Sequence, residues 1–450
     1  MRGLNQIPGI RSLFGAAAPR DQDAATEQHL ADGRMARATV TELPGATLAG
    51  GRQIRIRSAA QVRADLARAD LARSDISRNG ETGPTERRRL LPIRHATREQ
   101  GTFRAHFQKG RTLVRQDRWD LLARLIRETD RLRETSPAGV RMSDVLAAGA
   151  RSDMVSSARK AIQQGTEPSG AWLTDLDQAA AEGDWPEALT VARLHMDIAW
   201  LYHGDLPPVA RPDSAHPEFT RHFDRAAQLL DGFSPIEEAS PMLAEARIAL
   251  LANDPAGRER MGDDFEDLID LDPGNPGPLR LYGLYMLPRW FGTDAAGIEA
   301  AASATADRLA DIWGDGAYSW VWLDALSAEA ETAEACDAAR FRRGLFDILE
   351  RRPGQEVANL LAGFCGLAMA PGRAPAGLSA AARATRDLLH AACTPVIEHH
   401  MTEIRPELWL RGARPALALP EEQMCPADLA SDAAQIAAIV KARRSGALRH

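Results

Sequence analysis

The chain has 450 residues, a formal net charge of −7 at pH 7 and an aromatic content of 5%. This length accommodates two or three domains or one continuous array of helices. The low aromatic content, with abundant Ala, Leu, Arg, Glu and Asp, favours helix over sheet, because aromatic and β-branched residues are the strand formers. No run of about 18 apolar residues occurs in the sequence, so we expect no membrane-spanning helix and no membrane partner.

The N-terminal third of the sequence is basic. Residues 34–133 contain 23 Lys and Arg against 11 Asp and Glu, so the rest of the chain is strongly acidic. Such asymmetry can mark a nucleic-acid-binding arm, in which Arg87–Arg89 are candidates for phosphate contacts. The arginines also alternate with acids, as at Arg63 and Asp65, which is typical of a solvated helix face. We therefore favour a basic arm that contacts the acidic body of its own chain, and nucleic-acid binding is the alternative.

Cysteine spacing and the N-terminus indicate the compartment. No two cysteines form a CxxC pair, and zinc clusters need closely spaced ligands, so we expect no metal site among them. The first residues lack the uninterrupted apolar core of a secretion signal. We expect a cytoplasmic protein whose cysteines are reduced and buried as small apolar residues. These cysteines are Cys336, Cys365, Cys393 and Cys425.

Clusters of proline, glycine and polar residues divide the chain into five segments. Apolar residues recur at helical spacing from residue 97 onwards, and no stretch alternates strongly enough to predict a sheet. We predict a flexible arm at 1–57, a basic helix and linker at 58–96, N-terminal helices at 97–170, a helical-repeat body at 171–414, and a linker with a C-terminal helix at 415–450.

Apolar periodicity, together with the capping residues, prolines and glycines between periodic stretches, predicts a series of helices. The predicted bounds are Thr97–Gln116, Trp119–Leu132, a brief helix from Ser143, Asp153–Gln164, Ala171–Glu182, a helix from Trp185, Pro217–Leu230, Ile236–Asn253, Gly257–Leu271, a helix from Pro276, Asp294–Trp313, Ala317–Ala328, Thr332–Arg351, Glu356–Met369, Ser379–Ala392, Val396–Ile404 and Asp428–Arg444.

One helix joint stands out. A predicted helix ends at Glu182, Asp184 can cap the next helix, and Pro186 suits the first turn of that helix because its missing N–H costs nothing there. This joint resembles that of a tetratricopeptide repeat, in which small residues let two helices approach closely. The resemblance rests on Ala181, Gly183, Asp184, Trp185, Ala188 and Leu189.

Two further joints echo each other. A helix must stop at Asp272-Pro-Gly274, and Pro353-Gly354 repeats this ending about two helix pairs later. Together with the joint above, the echo predicts an all-α fold. We expect an irregular TPR-like α-solenoid of antiparallel helix pairs, with a partly flexible basic N-terminal arm.

A turn between these joints carries a second resemblance. Pro288 ends a helix, Arg289 and Trp290 follow, and Gly292 precedes an Ala-rich helix. This pattern resembles a Pro-Arg-Trp-x-Gly turn of a bacterial family of tetratricopeptide-like proteins of unknown function. Phe291 stands where that family usually has a small residue. The resemblance implies an architecture and adds no activity.

Aromatic and arginine side chains near this turn form the candidate binding surface, because Trp, Tyr and Arg are enriched in binding hot spots. Trp320 and Trp322 are two positions apart and point in different directions on a helix, so we expect one of them to be more exposed. The competing interpretation is structural, with Trp290 filling the corner between helices. The candidate binding residues are Arg280, Tyr282, Arg289, Trp290, Trp320 and Trp322.

The sequence offers little for catalysis. His399 and Glu403 are four residues apart and share a helix face, which provides half of a metal site at most. No third ligand lies at helical spacing, so a surface or capping role is the favoured interpretation. Motifs of nucleophilic, phosphate-binding and dinucleotide-binding sites are absent from the sequence. We expect no catalytic residue, no metal and no cofactor.

The leading hypothesis is a non-enzymatic scaffold or adaptor that binds another protein or a peptide by rigid presentation of stacked helix pairs. The first alternative is an enzyme or small-molecule binder with a pocket around Arg280, Arg289 and Trp290. The second alternative is nucleic-acid binding through residues 34–133. The identity of the partner and the oligomeric state have no signature in the sequence.

Overall fold

The computed structural model describes residues 91–95, 98–136, 139–168, 171–203, 217–413 and 426–445, which fall in the same structural unit. The predicted arm at 1–57, nearly all of the predicted basic segment at 58–96, and Cys425 lie outside these residues.

The described residues form eighteen α-helices, and the prediction of an all-α class is confirmed. Within these residues the β-structure is limited to two isolated bridges. No helix among them has the length and apolar character needed to cross a bilayer. The helices are α1 (Arg98–Arg115), α2 (Trp119–Arg131), α3 (Met142–Gln163), α4 (Ala171–Glu182), α5 (Trp185–His203), α6 (Pro217–Leu230), α7 (Pro241–Leu250), α8 (Gly257–Leu271), α9 (Pro276–Tyr285), α10 (Ala295–Arg308), α11 (Ala310–Trp313), α12 (Gly316–Ala328), α13 (Ala338–Arg351), α14 (Gln355–Gly363), α15 (Ala380–Ala391), α16 (Cys393–His400), α17 (Pro406–Gly412) and α18 (Pro426–Arg444).

Side-chain caps explain where several helices begin. Ser240, Asp337 and Ser379 directly precede α7, α13 and α15, and each accepts a hydrogen bond from a backbone N–H in the first turn. Such a bond satisfies a donor that has no partner within the helix. The predicted helix starts at Ile236 and Thr332 are therefore wrong, because the caps fix the starts several residues later.

Other predicted boundaries are also wrong. α3 is one helix of 22 residues where the sequence predicted two. Asp153, the predicted first residue of the second helix, lies in mid-helix, and its carboxylate accepts bonds from Arg111 and Arg115 of α1. The predicted Ala-rich helix breaks at Leu309, between α10 and α11, and α17 was not predicted.

Helices that are consecutive along the chain, or separated by one or two other helices, pack on each other. α1 packs on α3, α3 on α5 and α5 on α6, and further along α9 packs on α12 and α14 on α17. Glycines permit some of these close approaches. A Cβ on Gly149 would lie 2.0 Å from the carbonyl oxygen of Phe107, and a Cβ on Gly283 would lie 1.8 Å from that of Val321. The backbones of these helix pairs are therefore in direct contact.

Three helix joints, those of α8–α9, α11–α12 and α13–α14, lie against one another, and we call them the successive joints. The indole Nε1 of Trp313 donates to the carbonyl oxygen of Pro273 at 2.8 Å across a separation of 40 residues. The guanidinium of Arg352 lies 5.2 Å from the centroid of the Trp313 ring and donates to the carbonyl oxygen of Gly274 at 3.4 Å. Side chains of two later joints thus contact the backbone of an earlier one.

The first described segment, residues 91–95, contacts a distant part of the chain. The N–H of Arg94 donates to the carbonyl of Ile404, and the N–H of Ile404 donates to the carbonyl of Pro92, both at 2.8 Å. The Arg94 side chain also forms an ion pair with Glu403 at 3.8 Å. In a repeat array each repeat contacts only its neighbours along the chain, so this long-range pairing does not follow the repeat pattern.

Candidate functional site

The candidate binding residues lie on α9, in the turn after it, and on α12. Arg280 of α9 and Asp324 of α12 are both buried, and Nε and Nη2 of the arginine each donate to one carboxylate oxygen at 2.9 Å. The same guanidinium lies 6.0 Å from the centroid of the Trp320 ring. A bidentate pair fixes both the distance and the orientation of its partners. The charge of Arg280 is therefore paired with Asp324, and this ion pair connects α9 to α12.

Both tryptophans of α12 are in the core. Trp320 and Trp322 are 1% and 0% exposed, so the prediction that one of them is more exposed is wrong. Helices α9, α10 and α13 all pack on α12, which leaves no open face for either ring. Nε1 of Trp322 donates to Glu299 at 3.1 Å. Side chains that point in different directions can both be buried when the helix is covered on every side.

Tyr282 and Trp290 are buried as well. The Tyr282 ring stacks on Phe265 with 4.7 Å between centroids, and the Trp290 ring stacks on Tyr285 with 5.2 Å between centroids. Offset stacks of this kind stabilise a core beyond the area they bury. The placement agrees with the competing interpretation, in which Trp290 fills a corner between helices.

Arg289 is the candidate residue that keeps a substantial exposed fraction, 30% of its side chain, and its Nε lies 3.2 Å from Glu329. Burial lowers the pKa of Arg289, although the Glu329 carboxylate opposes this shift. The structure therefore brings the six predicted residues onto adjoining elements, with five of them packed in the core.

A group of buried charged residues that was not predicted lies among α3, α5, α7 and the joint between α8 and α9. Arg141 forms a hydrogen-bonded ion pair with Glu245, and its Nε donates to Asp272 at 3.2 Å. Asp144 lies 3.8 Å from Nη1 of Arg141 and 3.6 Å from Nη2 of Arg193. We call these five residues, Arg141, Asp144, Arg193, Glu245 and Asp272, the Arg141 cluster.

Local structure positions several members of the cluster. Arg141 directly precedes α3, and Asp144 lies in the first turn of that helix, where the helix dipole favours a negative charge. Asp272 follows the last residue of α8 and accepts a bond from Nδ2 of Asn275 at 2.8 Å. Asn275 in turn caps α9 by accepting a bond from the N–H of Gly277. The Asp-Pro-Gly joint thus supplies one carboxylate of the cluster.

Charges within the Arg141 cluster shift one another's titration. Burial and the Glu245 carboxylate raise the pKa of Asp144 to about 7, and the two guanidiniums oppose this shift. Burial also opposes the charged form of Arg141, but the carboxylates of Glu245 and Asp272 outweigh it and raise the pKa of Arg141. Burial lowers the pKa of Arg193. Three carboxylates thus share two guanidiniums, and the raised pKa of Asp144 lies near neutral pH.

Several buried polar atoms at the cluster or next to it lack a hydrogen-bond partner in the described structure. They are Oη of Tyr285, Nη2 of Arg141, Oγ of Ser143 and Oδ1 of Asp130. The charge of Glu245 acts on Tyr285, and burial is the main reason why the pKa of this phenol is raised. Buried polar atoms are nearly always bonded to protein, water or ligand. The unpaired atoms are therefore donors and acceptors that no protein group satisfies in the described structure.

Sequence reasoning missed the Arg141 cluster because its members are far apart along the chain. Arg141 is 104 residues from Glu245 and 131 residues from Asp272. The usable local signal is the Asp-Pro-Gly joint itself, since an acid at the end of a helix is opposed by the helix dipole and calls for a compensating cation.

In the described part of the basic region, arginines pair with acids of the same chain. Nε of Arg115 donates to Asp153 at 2.7 Å, and Arg127 forms an ion pair with Asp184 at the joint between α4 and α5. These contacts agree with the favoured interpretation, in which basic residues face acids of the same body. Arg87–Arg89 lie outside the described residues.

The suggested half metal site is not assembled. Glu403 accepts a bond from Nε of Arg405 at 2.6 Å, whereas His399 is exposed. Within the described ranges, no group of three or more His, Cys, Asp or Glu is arranged to hold a metal ion. The described cysteines are free and buried: Cys336, Cys365 and Cys393.

Comparisons of the chain with models of protein families, with curated proteins and with solved structures find no match in any of the three.

Proposed function

We propose that the chain is a cytoplasmic, non-enzymatic helical-repeat protein of the TPR-like class that binds another protein or a peptide. The observation that carries this proposal is the contact between successive joints, with Trp313 bonded to Pro273 and Arg352 placed on Trp313. Helix pairs stacked in this way bury a continuous core and leave their edges and faces for partners. The free, buried cysteines support a reducing compartment, where disulfides are rare.

Buried ion pairs support a rigid mode of binding. Arg141 joins the start of α3 to Asp272 at the end of α8, and Arg280 joins α9 to Asp324 of α12. A buried charge that loses its partner is strongly unfavourable, so each pair resists sliding of its helices. A surface fixed in this way loses little conformational entropy on binding, which favours affinity.

The surface that we propose lies at the joint edge around Arg133. Nη2 of Arg133 donates to the carbonyl of Ala239 at 2.7 Å, and its Nε donates to the carbonyl of Leu271 at 3.1 Å. Beside these contacts, Leu132 and Ile236 are 50% and 55% exposed. Burial of such exposed apolar side chains against a partner is favourable. A partner segment with apolar side chains fits this edge.

Capture of partners from a lysate of the source organism tests the proposal. The baits are the wild-type chain, the double variant Leu132→Asp/Ile236→Asp, and a control, Leu388→Asp, which changes another exposed leucine on α15. We expect a partner that the wild type and the control capture and the double variant loses. A partner retained by all three baits contradicts the proposed surface, and turnover of a small-molecule substrate contradicts the non-enzymatic part.

The unpaired buried atoms favour a second candidate function, binding of a small zwitterion such as an amino acid at the Arg141 cluster. Guanidiniums suit the carboxylate of such a ligand, and Glu245 suits its ammonium group. The phenol of Tyr285 supplies a further donor.

Thermal unfolding of the wild type and of Tyr285→Phe, with and without millimolar amino acids, tests the second candidate. A ligand that binds the folded state raises Tm. We expect one amino acid to raise Tm of the wild type by several degrees and that of the variant by less. If no amino acid raises Tm of the wild type, this candidate is excluded.

A further inference from the structure

Three helices bring Asp177, His195 and His222 into one hydrogen-bonded chain. Nε2 of His195 lies 2.7 Å from Oδ1 of Asp177, and Nδ1 of His195 lies 2.7 Å from Nδ1 of His222. The residues come from α4, α5 and α6. Both rings are buried, whereas Asp177 keeps 19% of its side chain exposed. At the inner end, Nε2 of His222 is buried and has no hydrogen-bond partner in the described structure.

The direction of each hydrogen bond follows from the chemistry of the groups. An ionised carboxylate can only accept, so Nε2 of His195 carries the proton in its bond to Asp177. The neutral His195 ring then has a bare Nδ1, which accepts from Nδ1–H of His222. Neutral His222 therefore has a bare Nε2, which is a basic atom inside the protein.

Electrostatics decide where a positive charge can reside. Burial opposes ionisation of Asp177, but the bond from His195 and the guanidinium of Arg225 outweigh it and lower the pKa of Asp177. Nε of Arg225 donates to this carboxylate at 3.1 Å. Burial, followed by the neighbouring His195, lowers the pKa of His222 to about 3. A charge on the inner ring is therefore unfavourable, while a charge on His195 lies against an ionised carboxylate.

We propose that Asp177, His195 and His222 form a proton relay whose inner end takes up a proton and whose charge comes to rest on the middle ring. When the pH is lowered, a proton from the solvent binds the bare Nε2 of His222, and the proton on Nδ1 of His222 passes to Nδ1 of His195. His222 stays neutral with its proton moved from Nδ1 to Nε2, and His195 becomes an imidazolium beside Asp177. The buried Nε2 of His222 thus takes up a proton while the His222 ring stays neutral.

The other ionisable groups around the relay fit this assignment. Arg221 of α6 is the remaining charged group that acts on His222, and Tyr202 of α5 stacks on the His222 ring with 6.1 Å between centroids. On the side of α5 that packs on α3, Asp197 pairs with Arg151. On α7, Glu245 pairs with Arg141 of the Arg141 cluster. Among the described residues, Asp177 is therefore the carboxylate that bonds the histidine pair.

The ¹⁵N spectrum of histidine-labelled full-length protein, recorded as a function of pH, tests the relay because the two ring nitrogens report the tautomer. Signals are assigned with His195→Gln and His222→Gln. We expect His222 to change from the Nδ1–H to the Nε2–H form at the pH at which His195 gains its second ring proton. If His222 keeps one tautomer while His195 titrates, or if its own ring becomes charged, the relay is excluded.

Asp177→Asn provides the second readout, with Asp175→Asn on the same helix as a matched control. Loss of the adjacent negative charge disfavours the imidazolium, so the tautomer change should move to lower pH by about one to three units in Asp177→Asn. The exposed Asp175 has the same charge two residues away, and its removal should leave the transition nearly unmoved. Equal shifts in both variants contradict the relay. The wild-type titration alone decides the question if Asp177→Asn does not fold.

Discussion

Nε of Arg141 lies 3.2 Å from Oδ2 of Asp272, although 131 residues separate the two along the chain. One partner precedes α3 and the other follows α8, so a single buried contact joins two distant helix joints. Because Glu245 bonds the same guanidinium, Arg141 neutralises two buried carboxylates at once. The contact is therefore a point at which the fold can be tested with one substitution.

Arg141→Ala should destabilise the protein by about 3–5 kcal/mol, because the buried carboxylates of Glu245 and Asp272 would both lose the guanidinium that bonds them. Urea unfolding followed by circular dichroism measures the change. The control is Arg308→Ala, which removes an exposed ion pair with Asp270 and should cost at most about 1 kcal/mol. Equal costs for the two variants would show that the Arg141 cluster is not buried in solution.

Gly283→Ala tests the close approach of α9 and α12. The added Cβ would lie 1.8 Å from the carbonyl oxygen of Val321, so the helices must separate. We expect a loss of at least about 1–3 kcal/mol in the free energy of unfolding. In Gly262→Ala, on α8, the Cβ meets nothing within 4 Å and the helix gains about 0.5–1 kcal/mol from the better helix former. Two effects of the same sign and size would contradict the packing.

The raised pKa of Asp144 makes stability depend on pH. Between the ordinary carboxyl value of 3.8 and about 7, the folded protein keeps a proton that the unfolded chain has lost. Folding therefore weakens as pH rises through this window, by at most about 1.4 kcal/mol per pH unit. Asp144→Asn removes this contribution, so the free energy of unfolding should fall less steeply with pH in the variant. Parallel pH profiles for wild type and variant would contradict the shift.

The helical class and many helix bounds follow from local signals. α4, α6 and α8 have the predicted bounds, because proline, glycine and capping residues act on the turns beside them. The same local reasoning misplaced Asp153. A carboxylate is a good cap, but here its partners are arginines on another helix. Local propensity cannot distinguish these two uses of one residue.

The candidate site was harder to predict for a different reason. The prediction that either Trp320 or Trp322 is exposed uses the geometry of one helix. Their exposure is set by the helices that pack on α12, which come from other parts of the chain. Hot-spot composition describes which residues bind when they are exposed, and it does not predict exposure. Burial of a residue on a central helix is a property of the tertiary structure.

The fold and the proposed binding edge both depend on the contact between successive joints. A double-mutant cycle of Trp313→Leu and Arg352→Ala measures this contact, because the two side chains belong to different joints and touch. A control cycle pairs Trp313→Leu with Arg373→Ala, a change of another exposed arginine. We predict a coupling of about 0.5–1 kcal/mol in the first cycle and additivity in the second. Additivity in both cycles would contradict the stacking of the joints.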